Sequence, residues 1–61
     1  MGTRLKRLRI AKDMSQAALA KRARLTREYV NKLEAGRQDP SLTTISALAK
    51  ALGVPVAKLL E

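Results

Sequence analysis

Apolar residues recur along this chain three or four positions apart, and no stretch alternates in the manner of a strand. Leu5 and Leu8, with Ala11 or the stem of Lys12, predict a first helix over 3–12, with Thr3 as candidate N-cap. Leu19, Ala20 and Ala23 predict a second over 16–23, capped by Ser15. Val30 and Leu33 predict a third over 27–35, capped by Thr26 and closed by Gly36 in the left-handed conformation. A fourth begins after Pro40 with Ser41 as cap; Leu42, Ile45, Leu48, Ala49 and Leu52 form its inward face, and Gly53 ends it. Val54-Pro55 turns the chain into a short fifth helix with Val56, Leu59 and Leu60 apolar. The expectation is one all-α, five-helix domain spanning 1–61.

Composition narrows the function classes. The absence of Cys excludes a disulfide or thiolate site, and the absence of His removes the commonest general base and metal ligand. The five acids are scattered and form no plausible catalytic pair, so neither an enzyme nor a metal or cofactor site is expected. No apolar run approaches the roughly 18 residues of a membrane span, and the first residues lack the apolar core of a secretory leader. Charge points toward a polyanion. Residues 1–37 hold eleven basic residues against three acids, a net of +8, while residues 38–61 are neutral. A basic part joined to a neutral part suggests one side for nucleic acid and another side for a different task.

The stretch SQAALAKRARLTREYVNKLEAG, residues 15–36, lays out two short capped helices around a tight turn. Together with LKRLR before it and PSLTTISALAKALGV after it, the chain resembles the Xre/Cro/C1-type helix-turn-helix family of bacterial and phage transcriptional regulators. The resemblance implies a lambda repressor-like fold that binds duplex DNA, usually as a homodimer on inverted half-sites. It also implies a bridge between Arg9 of the first helix and Glu34 at the end of the third. Each lies one residue beyond an inward leucine, which is compatible with such a bridge. One position departs from the pattern: the turn usually has Gly where this chain has Arg24. A left-handed Arg24 costs on the order of 1 kcal/mol; the alternative is a reshaped turn that tilts the third helix slightly. Its cation is either turn filler or a phosphate contact.

In such a layout the outer side of the third helix reads bases. Arg27 can pair with guanine O6 and N7, Asn31 with adenine N6 and N7, Glu28 with cytosine N4, and Lys32 with guanine or a phosphate. Glu28 is equally well placed for the helix dipole, and Lys32 for a solvated face. Tyr29 either reaches a phosphate or covers the rim of the core. Backbone candidates are Gln16 at the start of the second helix, Thr26, Arg24, and Arg37 with Gln38 in the following loop. Thr43 and Thr44 offer hydroxyls that serve either a phosphate or a local cap. Arg4, Lys6 and Arg7 form a solvated basic face.

Val54, Val56, Leu59 and Leu60 exceed what a small neutral end needs to cover itself, and are the candidate dimer interface. Two-fold pairing would set the reading helices about 34 Å apart, one turn of DNA. The reading is a repressor-type, sequence-specific regulator, cytoplasmic and nucleoid-associated, from a bacterium or phage. Three rivals stand beside it: an antitoxin or DNA-binding fragment whose main partner is another protein, a nonspecific basic binder, and a membrane-surface peptide built on the amphipathic first helix.

Overall fold

A computed structural model describes residues 1–61. Five helices follow one another without a strand: α1 (Gly2–Ala11), α2 (Gln16–Ala23), α3 (Arg27–Glu34), α4 (Leu42–Leu52) and α5 (Ala57–Leu60). Three starts are set by side-chain caps. Ser15 accepts from the Ala18 amide at 3.0 Å, Thr26 from Tyr29 at 3.1 Å and Ser41 from Thr44 at 3.2 Å. The first helix differs from expectation. It starts at Gly2, with the Met1 carbonyl accepting from Leu5 at 2.9 Å, so Thr3 lies inside the helix and caps nothing. Ala11 and Lys12 are exposed; Leu5 alone is buried, with Leu8 half-buried against the core.

Four helices end in the same way. After each, a residue with positive φ donates to the carbonyl three back, and the next residue to the carbonyl five back. At α3 these are Gly36 to Leu33 and Arg37 to Lys32; at α4, Gly53 to Lys50 and Val54 to Ala49. Glycine fits the positive φ of 75° and 71° at those two ends. At α1 and α2 the same position is Asp13 (φ 56°) and Arg24 (φ 59°). The turn of the helix-turn-helix therefore keeps its shape, with the backbone of Arg24 taking the left-handed conformation.

The buried side chains come from all five helices, with Leu5, Leu19, Leu48, Leu59 and Val30 fully enclosed. α2 packs against α3 and α4, α1 against α3, and α5 against α4. Ala20, 3% exposed, keeps the α2–α3 approach close. The N-terminus of α1 abuts the C-terminal carbonyls of α3, where a Cβ at Gly2 would stand 2.6 Å from the Leu33 oxygen. Two apolar expectations are corrected. Leu42 is 72% exposed: it is the first residue after the Ser41 cap, and burial along the stripe of α4 begins one turn later, at Ile45. Leu59, 1% exposed, is a core residue covered by its own chain, so it is unavailable to a partner. Val54 and Val56 are half-buried and Leu60 is exposed.

Candidate nucleic-acid interface

Thr26 turns the chain into α3 so that the first turn of the helix faces solvent. Behind it, Val30 and Leu33 anchor the opposite side in the core. This division leaves a shallow concavity lined by Thr26, Arg27, Glu28, Asn31, Lys32 and Arg37, with no apolar side chain among them. The four base-reading candidates thus share one surface with two backbone candidates. The ion pairs of the chain are Arg4–Glu61 and Arg9–Glu34, so Arg27, Lys32 and Arg37 are left free to meet anions. Glu28 lines the same concavity, where a carboxylate can repel phosphate and accept from a base amine. Tyr29 is half-buried against the core.

Arg9 and Glu34 meet at two points. Arg9 Nε donates to one carboxylate oxygen at 2.7 Å and an Nη to the other at 3.1 Å, while its second Nη donates to the Met14 carbonyl at 2.7 Å. The side chains are 11% and 4% exposed, so the pair is largely out of water. Gln16 extends the arrangement. Its amide nitrogen donates to Glu34 at 3.0 Å, and its oxygen accepts from the Asn31 amide at 3.3 Å. A hydrogen-bonded chain therefore runs from α1 through α3 and α2 to a candidate reading side chain. One N–H of Gln16 remains for a phosphate. This linkage escapes sequence reasoning, because Gln16 and Glu34 share neither helix nor period.

The other candidates lie apart. Gln38 and Thr43 are exposed and make no side-chain bond, whereas the Thr44 hydroxyl lies 3.0 Å from that of Ser41 and belongs to the start of α4. Arg24 faces a different crevice, with Arg22 and Lys50.

A helix-turn-helix family model matches residues 5–59. The chain belongs to the Cro/C1-type helix-turn-helix family. The fold is that of DNA-binding transcriptional regulators of this family, and no enzyme stands among the relatives named here. The crystal structure of the restriction-modification controller protein C.AhdI from Aeromonas hydrophila matches with a TM-score of 0.94 and 43% identity, over 95% of this chain and 88% of that one. The immunity repressor of Bacillus phage phi105 is 39% identical over 59 residues, which span 97% of this chain and 41% of that protein. The control protein C.BamHI of Bacillus amyloliquefaciens is 38% identical over 61 residues, 75% of its length. No helix of the chain is long and apolar enough to cross a membrane.

Proposed function

We propose that this chain is a sequence-specific DNA-binding transcriptional regulator of repressor type, acting in the cytoplasm of a bacterium as a homodimer on inverted half-sites. The observation that carries this reading is the polar concavity at the capped start of α3. Seated in the major groove, Arg27 grips guanine through two parallel bonds, Asn31 takes adenine, Glu28 accepts from cytosine, and Lys32 reaches guanine or a phosphate. Gln16, Thr26, Arg37, Gln38 and Thr43 hold the backbone strands and set the register. The net charge of +8 supplies salt-dependent attraction. Val54, Val56 and Leu60 join the two copies. The kinship with a phage immunity repressor and with restriction-modification control proteins supports the regulatory part of the reading.

Selection of bound duplexes from a random pool tests it. The expected winner is an inverted repeat with half-site centres about one helical turn apart. Against that winner, Arg27→Ala loses about 1–3 kcal/mol and relaxes preference at one base pair. A pool that enriches nothing, with affinity that only collapses as salt rises, would overturn sequence-specific reading.

A further inference from the structure

A further basic surface lies where the end of α2 meets α4. Arg22, Ala23 and Arg24 at the end of α2 and Ala47, Lys50 and Ala51 in the last turns of α4 line one crevice, which shares no residue with the concavity on α3. We propose that this crevice docks an acidic amphipathic segment of a partner protein, one that presents carboxylates around a single apolar side chain.

Three features carry the inference. The cations are exposed and free: none forms an ion pair or a side-chain hydrogen bond. Between them the lining is methyl, with Ala23 buried and Ala47 and Ala51 half-buried one turn apart on α4. The dipoles of two helix ends favour cations there, but they do not call for alanine at 47 and 51. Arg24 places a long cationic side chain at a left-handed position that favours glycine. A nucleic-acid backbone would satisfy the charges and leave the methyl floor uncovered. A helix with one leucine between acidic residues satisfies both, seating the leucine on the alanines. A second copy of this chain is a poor occupant, because its only exposed leucine beside an acid is Leu60–Glu61, which brings one side-chain carboxylate to three cations. Because its lining is separate from the α3 concavity, the proposal has the crevice occupied while α3 lies on DNA.

The probe is a synthetic helical peptide of about fifteen residues, with one leucine flanked on both sides by glutamates, titrated into isotopically labelled protein near 0.15 M salt, where loose charge attraction is screened. Amide shifts are expected to cluster at 22–24 and 47–51. Replacing the peptide leucine by serine weakens binding about tenfold, as the loss of one buried leucine requires. Lys50→Glu and Arg22→Glu each weaken it by a similar factor and leave affinity for the selected duplex within about twofold. Saturating duplex leaves the peptide bound. Shifts spread over the cations of α1 and α3, equal binding of the serine peptide, or no binding would overturn the proposal. Expulsion by duplex would also overturn it, and would assign the crevice to the DNA backbone. The peptide measurement does not depend on sequence-specific reading by α3, so the two proposals fail separately.

Discussion

Arg24 has φ 59° and ψ 41°, the conformation that closes α2 and is easiest for glycine. Its amide donates to Lys21 and that of Leu25 to Ala20, so the bonds of the turn are intact and the strain is confined to one residue. Arg24→Gly should therefore raise stability by about 1 kcal/mol or less, part of the relief being lost to the freer unfolded chain. Urea unfolding reads this directly; a lower midpoint would mean that the Arg24 side chain holds the turn. Glu34 is the opposite case, a residue whose side chain is held by two others through three hydrogen bonds. Its carboxylate accepts two bonds from Arg9 and one from Gln16 at 4% side-chain exposure. Glu34→Ala leaves a nearly buried guanidinium with the Met14 carbonyl alone, and the expected loss is about 3–5 kcal/mol. That is a large share of the roughly 5–15 kcal/mol that holds a domain together, so the melting temperature should fall steeply. An unchanged melting temperature would mean that the pair behaves as two solvated charges.

Among elements, the α1–α3 junction is set by Gly2. A Cβ there would lie 2.6 Å from the Leu33 oxygen and 2.7 Å from the Glu34 oxygen, both backbone atoms fixed by the end of α3. Alanine is normally the better helix former, yet Gly2→Ala should destabilise by about 1–3 kcal/mol because α1 must lift away from α3. Amide exchange in α1 should rise with it; a stabilised variant would show that α1 shifts freely. The sequence announces elements where a side chain does the local work. Ser15, Thr26 and Ser41 mark helix starts because their oxygens cap, and Gly36 and Gly53 mark ends because their backbones turn left-handed. The start of α1 is misplaced because no side chain caps it, and the turn at Asp13 is missed because Asp, though it tolerates a positive φ better than most residues, marks a helix end far less strongly than Gly. Periodicity puts Leu42 on the inward face but carries no information about where along α4 burial begins. The outer face of α3 is legible for the same reason that its core face is, since both follow one period from one cap. The Gln16 bonds to Glu34 and Asn31 are tertiary and leave no local trace.

At the scale of the molecule, the proposed reading side and the proposed pairing end sit on one small body of 24 × 23 × 19 Å. One copy presents one reading helix, and such a helix contacts only a few base pairs, so specificity in a genome calls for two. The proposed surface for pairing is smaller than sequence suggests. Leu59 is enclosed by its own chain, which leaves Leu60, 57% exposed, with the half-buried Val54 and Val56. Copies of charge +8 also repel each other, whereas DNA screens both. Pairing should accordingly be weak in solution and strong on a two-site duplex. Leu60→Lys tests this without touching the core or α3. Its affinity for a single half-site should remain within about twofold of the parent, while the cooperative gain on the inverted repeat, about tenfold or more in the parent, disappears. Gel-shift titration of one-site and two-site duplexes separates the two quantities. If single-site and two-site affinity fall together, Leu60 supports the fold and not the pairing. If neither falls, the copies meet through another surface, and exposed Leu42 at the start of α4 is the next position to charge.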